Sequence, residues 1–162
     1  MKVVHIVGVN RNNVIGKGNT IPFYSKKDLK HFKDTTLGNI CLVGRKTYET
    51  IAHLKDRIFI VITSDKDYKP AFDNAYVVND YDGALLLATK LKCDILYIIG
   101  GGKVYRDTFK YADELIVTYI NDWSKGNVFY KTPKRFEVVE TKDLGCEQYP
   151  QSEIKIYKLK QK

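Results

Sequence analysis

The feature that most constrains this chain is an alternation. Short, unbroken apolar runs rich in β-branched residues, at 3–9, 40–43, 58–63, 75–78 and 95–99, are separated by segments with helical spacing. Strands that face water on one side alternate polar and apolar residues, whereas strands covered on both faces read as continuous apolar runs. The intervening segments predict helices from near Lys26, from about Arg45 to Ile51, and from the glycines at 100–102 through about Phe109. A fourth carries Ala84, Leu87, Ala88 and Leu91 at the i, i+3, i+4, i+7 spacing of a buried stripe. The pattern predicts an α/β fold with a mostly parallel central sheet and helices on both faces. After Asp113 the runs at 115–120, 136–141 and 154–159 follow one another without helices, which predicts antiparallel additions at the C-terminal end. With 162 residues and no repeat, linker or low-complexity segment, residues 1–162 read as one domain with a sizeable core.

Composition removes several function classes. No apolar run approaches the length of a membrane span. The opening MKVVHIVGV lacks the charged, apolar and small-residue order of a secretory leader and reads as a strand. Cys41, Cys93 and Cys146 form an odd set without CxxC spacing, so neither a disulfide framework nor a metal site is expected, and the cytoplasm is the expected compartment. Cys41, inside an apolar run, reads as a packed thiol. The net charge of +8 is spread over scattered lysines rather than one block, so no nucleic-acid partner is expected. Such a field also draws small polyanions.

Against this background Asp28 stands out. On a helix beginning near Lys26 it shares a face with Phe32 and lies beside the Leu29–Phe32–Thr36 stripe, while Lys26, Lys27, Lys30 and Lys33 take the other sides. A carboxylate on an apolar face needs partners for its lone pairs. One candidate is internal: Ser25-x-x-Asp28 reads as a capping box, with the acid also suiting the helix dipole. The box prefers Glu or Gln, so a ligand is the other candidate.

Three strand ends supply reasons to look for that ligand, because open α/β sheets bind beyond the carboxyl ends of their strands. Gly100-Gly101-Gly102-Lys103 sits between a strand and a helix and exposes bare amides, suited to phosphate, although a tight turn would also use glycine. Gly44-Arg45-Lys46-Thr47 repeats the arrangement with two cations in a first helical turn, where they oppose the dipole. Thr63-Ser64 ends another buried run with two hydroxyls. Together they point to a dinucleotide bearing an extra phosphate, since no ribose-binding acid is evident.

The segments VIGKGNTIPF, KDLKHFK, VGRKTYETI, DRIFIVITS, IIGGGKVY and ADELIVTYI, in that order, resemble dihydrofolate reductases over nearly the whole chain. The resemblance implies a monomeric NADPH-dependent enzyme that reduces 7,8-dihydrofolate to tetrahydrofolate, supporting one-carbon metabolism and coupled in function to thymidylate synthase without direct binding. It places Asp28 against the pteridine ring with Thr118 hydrogen-bonded to it, and Ile21 and Phe23 at the same centre. Ile6, Leu29, Phe32, Ile51 and Leu54 would line the substrate pocket, and Arg57 would grip the substrate's glutamate. Arg45, Thr63 and Ser64 would hold the extra phosphate of NADPH. Gly44, Lys46, Thr47, Gly100, Gly101, Gly102, Lys103, Val104 and Tyr105 would line the pyrophosphate side. Gly8 and Ile15 would meet the nicotinamide, with Gly16, Asn19 and Thr20 in a mobile loop over it. The Gly100–Gly101 peptide would be cis. Two departures are visible: Phe23 stands where the family usually has Trp, and Asn127 where many relatives have Asp. Within the same fold a reductase of another heterocycle, such as a ribosylaminopyrimidine, or a binding-only protein, would have less use for Asp28 and Arg57 together.

Overall fold

The computed structural model describes residues 1–145 and 152–162, so Cys146 lies outside the described residues. In chain order the elements are β1 (Lys2–Asn10), β2 (Val14–Gly16), α1 (Lys26–Thr36), β3 (Ile40–Gly44), α2 (Arg45–Ile51), β4 (Ile58–Ile62), β5 (Ala75–Val78), α3 (Tyr81–Lys90), β6 (Ile95–Ile98), α4 (Gly102–Thr108), β7 (Glu114–Ile120), β8 (Val128–Phe129), β9 (Phe136–Gly145) and β10 (Ser152–Leu159). Eight strands form one sheet in the order β5-β4-β3-β6-β1-β7-β10-β9.

Period-two alternation explains why the runs are apolar throughout. Val3, Val7 and Val9 of β1 join Leu42, Ile60, Leu96 and Ile98 on one face, where Ala84 and Ala88 of α3 and Val104 and Tyr105 of α4 pack. Val4 and Ile6 join Cys41, Val43, Phe59 and Val61 on the other, against Tyr48 and Ile51 of α2 and Phe32 of α1. The central strands β1, β3, β4 and β6 therefore bury both sides. Cys41 is fully buried, as a packed thiol should be. The predicted α3 stripe is present, and Asp80 caps that helix by accepting the Gly83 N–H at 2.6 Å.

The C-terminal expectation needs refinement. β7 pairs parallel with β1, and antiparallel pairing belongs to β10 with its neighbours β7 and β9. The reason is α4, which acts as a crossover helix and returns the chain to the far side of β1 in the parallel sense. The outer strand β9 is mostly exposed and carries Glu137, Glu140, Lys142 and Asp143, charges that discourage edge-to-edge pairing. Sequence periodicity also missed a two-stranded sheet of β2 with β8. There Gly126 permits close approach: a Cβ on it would lie 2.4 Å from the Gly16 carbonyl oxygen. No described helix is long and apolar enough to cross a membrane.

Candidate active site

Ser25 does cap α1, its Oγ accepting the Asp28 N–H at 3.2 Å. The reciprocal half of the box is not formed, and the Asp28 carboxylate lies instead over β1. A Cβ at Gly8 would come within 2.5 Å of Asp28 Oδ2, so glycine leaves the space that the acid occupies. In the β1–β7 register Gly8 pairs with Thr118, which brings that threonine to the same floor. Its hydroxyl is fully buried and has no partner in good hydrogen-bond geometry among the described residues, yet it is close enough to Asp28 to draw the carboxyl pKa downward. Burial is the larger influence and raises that pKa from 3.8 to about 6. The half-buried acid and the buried hydroxyl beside it form a polar floor over β1.

Around this floor Ile6, Phe32, Ile51 and Leu54 belong to one apolar cluster. Leu29, expected in a buried stripe, keeps 38% of its surface exposed, so its side of the first turn borders open space rather than packed core. In the loop from 17 to 23, Ile21 is 63% exposed and Phe23 is half-buried. Lys17 and Thr20 close a tight turn through reciprocal backbone hydrogen bonds, with Asn19 exposed between them. Asn127 joins this loop to the segment around β8. Its Oδ1 accepts the Gly18 N–H at 2.9 Å, and its own N–H donates to the Gly16 carbonyl at 3.0 Å. Coupling between the two loops therefore exists without the aspartate's charge.

Arg57 is buried, not the exposed cation that opens many strands. Its Nε donates to Thr36 Oγ1 at 2.9 Å, Nη1 to the Lys55 carbonyl at 2.5 Å and Nη2 to the Lys33 carbonyl at 2.6 Å. Three of the five guanidinium donors thus tie the end of α1 to the turn before β4, leaving two for a ligand. Replacing Arg57 with Met should lower stability by about 2–3 kcal/mol in denaturant unfolding, because it strands buried acceptors. Arg57→Lys should recover little, since a single ammonium cannot span the three positions.

The ends of β3 and β6 meet through the Gly44 N–H and the Gly100 carbonyl at 2.8 Å. α2 and α4 both start here, and neither has a side-chain cap. The Gly100–Gly101 peptide is cis, as the resemblance implied. A Cβ at Gly101 would sit 2.9 Å from Thr47 Oγ1, so bare backbone is needed where the two helix starts face each other. Val104 and Tyr105 support this cradle from the core, and the Tyr105 hydroxyl donates to the Ile6 carbonyl at 2.7 Å. Gly102 has a different reason to be glycine: a Cβ there would lie 2.5 Å from Val128 Cγ1, so it serves packing of β8 on α4. Ile15 is half-buried against the core near this end.

Cations ring the cradle. Lys46 is exposed, Lys103 pairs with Asp107 at 2.9 Å, and Arg45 pairs with Glu49 at 3.0 Å. Thr63 Oγ1 accepts the Asp65 N–H at 3.2 Å, the turn role expected of a hydroxyl at a strand end, while Ser64 is exposed. The bare glycines between two uncapped helix starts, flanked by Arg45, Lys46 and Lys103, fit the phosphates of a dinucleotide.

Comparison with known proteins decides the family, for residues 2–161 match the sequence model described as dihydrofolate reductase. The chain belongs to the dihydrofolate reductase family. It is 32% identical to the dihydrofolate reductase of Mycoplasma genitalium over 154 residues, covering 91% of this chain and 96% of the relative. It is 35% identical to the type 3 dihydrofolate reductase of Salmonella typhimurium over 131 residues, 80% and 78% of the two chains. Among solved structures, the dihydrofolate reductase from Enterococcus faecalis complexed with NADP(H) and RAB-propyl superposes with a TM-score of 0.88 at 26% identity, covering 99% of this chain and 97% of that one. As a member of this family the chain is an NADPH-dependent oxidoreductase that reduces 7,8-dihydrofolate to 5,6,7,8-tetrahydrofolate.

One buried group escaped the sequence reading. His5 is fully buried on β1, with Nε2 2.9 Å from Thr108 Oγ1 and Nδ1 3.1 Å from the Tyr130 hydroxyl. Thr108 donates its own proton to the Val104 carbonyl at 2.6 Å, so it accepts from His5, which assigns the Nε2–H tautomer. The histidine links α4 to the residue after β8. Its signal was present in the sequence as a lone imidazole within the apolar run at 3–9.

Proposed function

We propose that Asp28 anchors the pteridine ring of dihydrofolate, and that the residues around it orient the ring for reduction. The observation that carries this reading is the carboxylate over Gly8, with the buried Thr118 hydroxyl beside it. Its two oxygens suit the amino group and adjacent ring N–H of the pteridine as a fork, and Thr118 completes the floor. NADPH, when bound, supplies the hydride that reduces carbon 6. Asp28 sets the ring's position and local field, while the proton for nitrogen 5 comes from water near the ring rather than directly from the carboxyl. Phe23 keeps apolar bulk at the loop tip but brings no indole donor. Ile6, Leu29, Phe32, Ile51 and Leu54 enclose the substrate, and the two remaining Arg57 donors meet its glutamate carboxylate.

On the cofactor side Arg45, Thr63 and Ser64 hold the extra phosphate, and Gly44, Lys46, Thr47, Gly100, Gly101 and Lys103 hold the pyrophosphate. Ile21 and the Gly16–Phe23 loop, with Asn19 and Thr20, close over the nicotinamide end, with Gly8 and Ile15 beneath it. The enzyme works as a monomer of one domain in the cytoplasm. It serves one-carbon metabolism and feeds thymidylate synthesis without binding the synthase.

The deciding assay follows NADPH absorbance on addition of dihydrofolate. The wild type should oxidise NADPH, and absence of turnover would end this reading. Arg45→Gln should lower kcat/KM for NADPH about 10- to 100-fold while changing that for NADH less than threefold, in line with loss of one charge-assisted phosphate contact. Equal use of both cofactors by the wild type would remove the extra-phosphate pocket.

A further inference from the structure

The cation assigned to the extra phosphate is already partnered. Arg45 Nη1 lies 3.0 Å from Glu49 Oε1, one turn later on α2, and the Tyr68 ring flanks the guanidinium with its centroid 6.0 Å from Cζ. The carboxylate also reaches the Tyr68 side: burial and then the charge of Glu49 raise that hydroxyl's pKa. Arg45, Glu49 and Tyr68 therefore form one partly exposed cluster. Other charges at this end are Lys46 in the first turn of α2 and Asp65, Lys66, Asp67 and Lys69 in the segment after β4.

We propose that Glu49 is a specificity-determining residue that tempers this enzyme's preference for NADPH by competing with the cofactor's ribose phosphate for Arg45. This rests on the assignment of Arg45 to that phosphate. A phosphate dianion taking up Arg45 must displace or share its carboxylate partner, and in either case stands close to a like charge. NADH, which lacks that phosphate, meets no such rival. An exposed ion pair between residues four apart on a helix adds little to stability, so its removal leaves the fold intact. The other possibility is that Glu49 helps by pre-positioning the guanidinium, and it predicts the opposite sign.

The test measures dissociation constants of NADPH and NADH for the wild type, Glu49→Gln, Arg45→Gln and the double variant, by quenching of protein fluorescence at low salt. Glu49→Gln should tighten NADPH three- to tenfold and shift NADH less than twofold, with the gain shrinking as salt screens the charges. In the Arg45→Gln background the same change should yield less than half that gain. Unchanged or weaker NADPH binding in Glu49→Gln would overturn the proposal, as would equal tightening of both cofactors. If Arg45→Gln alone leaves the NADPH-to-NADH ratio unchanged, the phosphate assignment itself fails, a result separate from the sign of the Glu49 effect. A circular-dichroism melt of each variant checks that binding changes do not reflect unfolding.

Discussion

Asp28→Asn should nearly abolish turnover at pH 7 and at the same time make the protein harder to unfold. The loss follows from the role proposed for the acid: an amide offers one acceptor and one donor where the ring presents two donors, and a fall in kcat/KM on the order of 10²–10⁴ is expected. The gain follows from burial. The folded state holds the Asp28 proton up to about pH 6, whereas the unfolded carboxyl releases it near 3.8. Between those values the folded protein binds more protons, so the stability that Asp28 contributes is complete below pH 3.8 and lost as pH rises through about 6. At pH 7 the ionised group is a liability. Two pKa units correspond to at most about 3 kcal/mol, and because the side chain is only partly shielded a gain of about 1–2 kcal/mol is expected for the amide. Urea unfolding at pH 7 and pH 4 checks the cause. The variant's advantage should be present at pH 7 and small at pH 4, and an equal advantage at both would remove the electrostatic explanation.

His5 should make the fold acid-sensitive in the opposite sense. Burial lowers its pKa from 6.5 to about 3, so the folded state keeps it neutral while the unfolded chain takes up a proton. The stability associated with His5 is therefore complete above pH 6.5 and is lost progressively as pH falls toward 3. Each unit in that window removes about 1.4 kcal/mol. Guanidinium midpoints measured from pH 7.5 to pH 4.5 should show this slope in the wild type, and His5→Leu should lose most of it. The variant should also be less stable at pH 7 by about 2–4 kcal/mol, because the Tyr130 hydroxyl loses its acceptor in the interior and Thr108 its donor. A variant as stable as the wild type at pH 7 would show that the Tyr130–His5–Thr108 chain contributes nothing.

The layers of the fold were legible because burial on both faces leaves a plain mark in sequence. The runs at 40–43 and 75–78 became strands, and α2 spans Arg45–Ile51 as its pattern predicts. What escaped depended on contacts between distant segments. The direction of β7 required counting α4 as a crossover, and β2 and β8 are too short for any period to show. At the site, Asp28 announced itself as an acid on an apolar helix face. Thr118 looked ordinary, and its place beside Asp28 comes from the pairing of Gly8 with Thr118 across two strands far apart in the chain. Arg57 was recognisable as a position but not as a brace, since its carbonyl partners Lys33 and Lys55 leave no side-chain signature. The three glycines at 100–102 looked like one phosphate loop, whereas Gly102 is bare to admit Val128.

Asn127 carries a last consequence. The loop from 17 to 23 is fastened to its neighbour by an amide that accepts from Gly18 and a backbone N–H that donates to Gly16, a latch with no ionisable part. Acid, alkali and salt leave such a latch alone, where a carboxylate in the same place would loosen on protonation. In the loop closure proposed above, the motion then answers to temperature and to the ligands, and the acid response of the proposed site falls to Asp28. On the proposed reading the gate keeps one rhythm while the floor beneath the ring changes charge.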